Sequence, residues 1–181
     1  MTGNTTDILN GDKDNDGTGN GTVLTITTTA PVTIRNLKIT GGGNTVEGGG
    51  LNIGPNANVR LENGTLITEN NARNLGGGVY VEGTSSSKAK LTIENGAEIS
   101  ANTLTSLSNG DGGFGLYADY AIISMTGGNI CNHDGTGFSN ANNAPRGTVR
   151  LKNTQFTMTG GKITGNKVQK IGGNLFVDAN T

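Results

Sequence analysis

The chain has 181 residues, of which 32 are Gly, 26 Thr and 25 Asn, a bias that excludes an ordinary helical domain. Hydrophobic residues make up 31% and aromatics 4%, lean for a globule yet rich for a disordered chain, so a core has to come from regularly spaced positions. Thirteen basic and fourteen acidic residues leave a net charge of -1 and no basic field to recruit nucleic acid or anionic lipid. No apolar run approaches the roughly 20 residues of a membrane span, so this segment is not expected to insert into a bilayer.

Residues 1–22 form a polar segment rich in Gly, Asn and Asp, read as a loop or an irregular first coil, ahead of repeats that fill 23–181. The start, Met1 to Thr5, has neither the basic nor the apolar region of an export signal, which is expected to have been removed or to lie upstream. Within the segment, Asp12, Asp14 and Asp16 precede Gly17 with the spacing of the first half of a calcium loop, where alternating oxygens converge because Gly permits the turn. The bidentate Glu of a full loop would stand where the chain has Val23, so the expectation is a weak calcium site or none.

From Val32 the sequence repeats. Val32-Thr33-Ile34 recurs as Val59-Arg60-Leu61, Leu91-Thr92-Ile93, Ile123-Ser124-Met125 and Phe156-Thr157-Met158, at intervals of 27, 32, 32 and 33 residues. A second apolar position follows each time (Ile39, Ile67, Ile99, Ile130, Ile163), and then a third short strand. That strand reads Leu51-Asn52-Ile53, Val79-Tyr80-Val81, Leu116-Tyr117-Ala118, Val149-Arg150-Leu151 and Leu175-Phe176-Val177, with Leu24-Thr25-Ile26 closing an earlier partial coil.

Three short alternating strands per repeat, separated by Gly and Asn corners, describe one turn of a parallel β-solenoid. Stacked coils pair each strand with its equivalent, so Val32, Val59, Leu91, Ile123 and Phe156 form one inward ladder and Ile34, Leu61, Ile93, Met125 and Met158 another. The prediction is an all-β, three-sided parallel β-helix of about five coils. Asn36, Asn63 and Asn95 share a corner at which their amides are expected to stack as a hydrogen-bonded ladder, with Gly127 and Gly160 replacing them further on. Inserts are read at Gly83 to Lys90, Thr103 to Asp111 and Asn132 to Arg146, on the side that solenoids often use for binding. The chain closes on Asn180-Thr181 directly after a third strand, which suggests a piece of a longer repeat protein or a unit that stacks end to end.

The motifs Gly48-Gly49-Gly50-Leu51, Gly76-Gly77-Gly78-Val79-Tyr80, Gly112-Gly113-Phe114-Gly115-Leu116-Tyr117 and Gly172-Gly173-Asn174-Leu175-Phe176 alternate with Ile67-Thr68-Glu69-Asn70, Ile99-Ser100-Ala101-Asn102 and Ile163-Thr164-Gly165-Asn166. Over residues 32 to 181 this resembles the repeats of polymorphic outer-membrane proteins, which pair a Gly-Gly-apolar motif with Phe-x-x-Asn; here Ile stands for Phe. The resemblance implies a right-handed parallel β-helix exposed on a bacterial surface, extracellular, with adhesion as its role.

Two outward columns of the third strand are the candidate sites. One runs Thr25, Asn52, Tyr80, Tyr117, Arg150, Phe176, and offers either a flat platform for sugar rings or a partner's side chains, or a stack closed upon itself under the inserts. The next runs Thr27, Gly54, Glu82, Asp119, Lys152, Asp178, and places Glu82 and Asp119 about 5 Å apart, the separation of a retaining glycosidase pair. Lys152 is the simpler partner for Asp119, which makes this a charge ladder of the kind solenoid surfaces carry. Arg35 is expected to offset repulsion between Glu62 and Glu94 in a further column. Cys131, His133 and Asp134 lie close together, but nothing nearby orients a nucleophile or forms an oxyanion hole. An ice-binding array would need the column Thr33, Arg60, Thr92, Ser124, Thr157 to be uninterrupted, and Arg60 interrupts it.

The reading is a non-enzymatic structural or adhesive β-solenoid module that stacks through its ends or meets a surface glycan or protein. The alternative is a polysaccharide-binding or polysaccharide-degrading β-helix, since fold alone does not exclude an enzyme.

Overall fold

A computed structural model describes residues 7–105, 112–137, 146–169 and 171–178. Parts of two inserts, 106–111 and 138–145, lie outside the described residues, as do the first six residues and Asn180-Thr181. Among the described residues there is no helix, and strands stack into a parallel β-solenoid of about five turns.

Three faces recur in every turn. The first carries Val32–Ile34, Asn58–Leu61 and Ala89–Ile93; the second carries Ile8–Asn10, Leu37–Thr40, Thr65–Thr68 and Glu98–Ser100. In the last two turns these faces merge into single bent strands, Ala121–Cys131 and Gln155–Thr164, with the register shifting after Met125. The third face carries Leu24–Ile26, Leu51–Ile53, Val79–Glu82, Leu116–Asp119, Val149–Lys152 and Leu175–Val177.

Pairing follows the predicted columns residue for residue. Val32 lies on Val59, Leu91 on Val59 and on Ile123, and Ile123 on Phe156. On the second face Leu9 lies on Ile39, then Ile67, Ile99, Ile130 and Ile163 follow. Inside the stack, Ile34, Leu61, Ile93, Ile67, Ile99 and Leu116 are wholly buried, which is how a 31% apolar chain fills a core only a few side chains wide. A second, smaller cluster forms outside the solenoid, where Phe114 packs on Ala72 and Leu104.

The Gly-Gly-apolar motif has two separate causes. Gly76 opens the turn into the third face with φ 62°, a left-handed conformation that a side chain resists. Gly77 passes so close to the carbonyl oxygens of Thr103 and Phe114 that a Cβ would collide with both.

The corner between the first and second faces differs from expectation. The amides of Asn36, Asn63 and Asn95 do not stack into a ladder. The turn gains a residue after the first coil, so Asn36 (φ 50°) stands where Gly64 (φ 77°) and Gly96 (φ 79°) follow. The side-chain oxygens of Asn36 and Asn63 lie directly over Gly64 and Gly96 of the next coil, at distances only a missing Cβ permits.

Candidate functional site

The column Thr25, Asn52, Tyr80, Tyr117, Arg150, Phe176 exists in the predicted register. The rings of Tyr80 and Tyr117 are stacked, with centroids 5.4 Å apart and planes 8° from parallel. The Arg150 guanidinium lies 5.7 Å from the Tyr117 centroid and 5.8 Å from that of Phe176, while Arg146 covers Phe176 at 5.4 Å. Arg150 Nε also donates to Asp178 Oδ2 at 2.8 Å.

Both tyrosines are only 5% exposed. Of the two sequence readings, the geometry is the closed stack: the faces that would receive a sugar are already occupied. Burial, reinforced by the charge of Asp119, pushes the Tyr117 phenol up to about 12. Tyr80 is raised further, again by burial first, then by Glu47 and by Glu82, to which its hydroxyl is hydrogen-bonded.

Glu82 and Asp119 are register partners on neighbouring strands. Asp119 is buried and engaged, with Lys152 Nζ 3.5 Å from Oδ2 and the Asn153 amide donating to Oδ1 at 3.0 Å. A carboxylate held in this way is a rung of a charge ladder. Arg60, rather than Arg35, bridges the acidic column: it pairs with Glu94 and lies 3.6 Å from Glu62. The long Arg60 side chain reaches diagonally from the adjacent column, so Arg35 is not needed for that role.

The carboxylates of Asp12, Asp14 and Asp16 do converge, with one oxygen from each within 4.8 Å of the others. The loop is closed by its own hydrogen bonds: Gly17 N–H donates to Asp12 Oδ2 at 2.9 Å, and Thr18 N–H to Asp16 Oδ1 at 2.7 Å. The Asn20 amide donating to Asp14 Oδ1 at 3.0 Å holds the Asp14 carboxyl below its usual value. The set is carboxylate oxygen, half-buried at Asp12 and exposed at Asp14 and Asp16, the chemistry of a hard divalent cation, with Val23 in place of the closing bidentate ligand.

One constellation lies outside the candidate columns of the sequence reading. At the second corner the chain turns through left-handed residues Gly41, Glu69, Ala101, Asn132 and Gly165, and the residue after each lies in one column: Gly42, Asn70, Asn102, His133, Asn166. Gly42 N–H donates to Asn70 Oδ1 at 2.9 Å, Asn70 N–H to Asn102 Oδ1 at 3.0 Å, and His133 N–H to Asn166 Oδ1 at 3.1 Å. Each amide then donates back to the previous coil: Asn70 to Ile39 O, Asn102 to Ile67 O and Asn166 to Ile130 O. This is the hydrogen-bonded asparagine ladder of the solenoid, one corner away from where it was expected. The signal was the Asn that ends each Ile-x-x-Asn repeat.

His133 interrupts the ladder. Its ring is buried between Asn102 and Asn166, with Nδ1 3.0 Å from Asn166 Oδ1 and Nε2 3.4 Å from the Asn102 amide nitrogen. Burial lowers its pKa to about 4, against the smaller opposite effect of the Asn166 bond. Burial also raises the Cys131 thiol, with Glu98 adding to the effect. A neutral, fully engaged imidazole and a thiol held protonated are poor groups for nucleophilic chemistry.

Compared with protein-family models, with curated proteins and with solved structures, the chain matches none.

Proposed function

We propose that the chain is a non-enzymatic structural or adhesive module of a bacterial secreted or cell-surface protein, and that it works by end-to-end stacking of coils. The observation that carries this reading is the state of the last described rung. Met158, Leu175 and Val177 occupy core columns, yet they are 42%, 39% and 61% exposed, while Phe156 and Ile163 are half-buried. At the opposite end Leu9, Leu24 and Val32 are also half-buried, while Ile26 and Ile34, at the head of the Val177 and Met158 columns, are buried.

A second copy set head to tail six rungs on would bring Leu175 onto Leu24, Val177 towards Ile26 and Ile163 onto Leu9, while the first face, with five described rungs where the others have six, would leave Phe156 and Val32 one rung apart. These contacts would continue columns already in register, and the unpaired backbone edges of the second and third faces would find partners. The Gly-Gly-apolar and Ile-x-x-Asn repeats support a surface role by their resemblance to polymorphic outer-membrane proteins. The engagement of Asp119, His133 and Arg150 by neighbouring side chains supports a non-catalytic one.

Negative-stain electron microscopy of the purified chain over a concentration series tests this. Filaments with an axial repeat of roughly 30 Å, six third-face rungs at about 4.8 Å each, are the expected result. Single particles at every concentration would refute stacking.

A further inference from the structure

Tyr120 has a left-handed backbone, φ 47°, at the corner that follows Leu116–Asp119. One coil on, the corner after Val149–Lys152 is made by Asn153 with φ 46°. Asn accepts this conformation readily, whereas a bulky side chain is strained there by about 1 kcal/mol or more. The tyrosine ring is half-buried and lines an open cleft of about 570 Å³.

The cleft follows the solenoid corner across four successive coils. Ser85 and Lys88 come from the insert after Val79–Glu82, then Tyr120, then Asn153 and Gln155, and finally Asp178 beside Leu175–Val177. Three steps between coils make it roughly 14 Å long. The wall bearing Ser85 and Lys88 is preformed, because Thr84 and Ser87 exchange reciprocal backbone hydrogen bonds of 3.1 and 3.2 Å. The Asn153 amide is oriented by its bond to Asp119.

These groups lie along a line rather than converging on a point. One aromatic face, two amides, the hydroxyls of Ser85 and Thr154, one ammonium and one carboxylate, set beside Leu151 and Val177, suit an elongated ligand carrying hydroxyls along its length and an apolar face on each ring. Asp178 is already paired with Arg150, so what the cleft offers a ligand is mostly neutral hydrogen-bonding groups, with the charge of Lys88 among them. We propose that this cleft binds an unbranched neutral oligosaccharide, with one sugar ring stacked on Tyr120 and its neighbours hydrogen-bonded by Asn153, Gln155 and Lys88. The inference rests on the adhesive half of the proposed function, and because Val177 and Asp178 of the last rung line one end of the cleft, binding is read on the monomeric chain.

The test is saturation-transfer NMR and calorimetry on the full chain carrying Leu175→Glu, placed on the last third-face rung to block stacking and outside the cleft lining, with cellohexaose, chitohexaose and mannohexaose as probes. At least one probe should bind with a Kd of about 1 mM or tighter. Tyr120→Asn places the residue that already serves at position 153, so the fold should hold with an equal or higher Tm while affinity falls about tenfold or more. Binding by none of the three probes, or binding undiminished in Tyr120→Asn, overturns the proposal. Filaments formed by the wild-type chain would survive either result.

Discussion

The backbone N–H of Asn70 donates to the side-chain oxygen of Asn102, 32 positions later and one coil further along the axis, at 3.0 Å. The same amide returns a hydrogen bond to Ile67 O at 2.9 Å, so a single buried side chain satisfies both a donor and an acceptor of the preceding turn. Asn102→Leu, close in size but unable to bond, should therefore destabilise the chain by about 3 kcal/mol, because two buried backbone groups lose their partners. Urea unfolding followed by circular dichroism measures it. A loss below about 0.5 kcal/mol would mean that the ladder is not structural.

His133 makes stability depend on pH. Its pKa falls from an ordinary value of 6.5 to about 4 on folding, so between those values the unfolded chain binds more protons than the folded one. The contribution is fully present above pH 6.5 and is lost as pH falls towards 4, a change on the order of 3 kcal/mol. His133→Asn should restore the missing rung and flatten this part of the profile. Denaturation midpoints at pH 7.5, 6, 5 and 4 for both proteins decide the matter, and parallel profiles would contradict it.

Two glycines separate close approach from mere flexibility. A Cβ on Gly77 would meet the carbonyl oxygens of Thr103 and Phe114, whereas one on Gly173 would meet nothing within 4 Å. Gly77→Ala should cost more than about 2 kcal/mol or prevent folding, and Gly173→Ala should change stability by less than about 0.5 kcal/mol. Thermal melts of the two variants check the contrast.

The Tyr80–Tyr117 stack predicts a coupling of about 1 kcal/mol in a double-mutant cycle with Leu at each position, read from urea denaturation. Additive losses would mean that the rings contribute only buried area.

Much of the fold was legible because the solenoid writes its geometry into spacing. Each strand shows its inward positions within three residues, so Tyr80, Tyr117, Arg150 and Phe176 could be placed in one column from sequence alone. Alternation says which way a side chain leaves the sheet, however, and not what lies against it there. The burial of Tyr80 and Tyr117 therefore had no sequence signal beyond their adjacency. Corners were harder. The extra residue at Gly64 shifts which side chain meets which, so the amide ladder predicted at Asn36 and Asn63 is found at Asn70 and Asn102. Arg60 shows a third limit, because a long side chain pairs across columns that a register argument treats as separate. Tyr120 carried no sequence mark at all; its interest comes from a backbone angle.

The most direct test of end-to-end stacking is sedimentation equilibrium of the wild-type chain beside Leu175→Glu over a broad concentration range. Leu175 lies half-exposed on the last rung of the third face, so a charge there should leave the fold intact and block only the next coil. The account predicts a wild-type mass that climbs with concentration and a variant that stays at 18.4 kDa. A wild-type chain that is monomeric throughout, or a variant that assembles equally well, would contradict it.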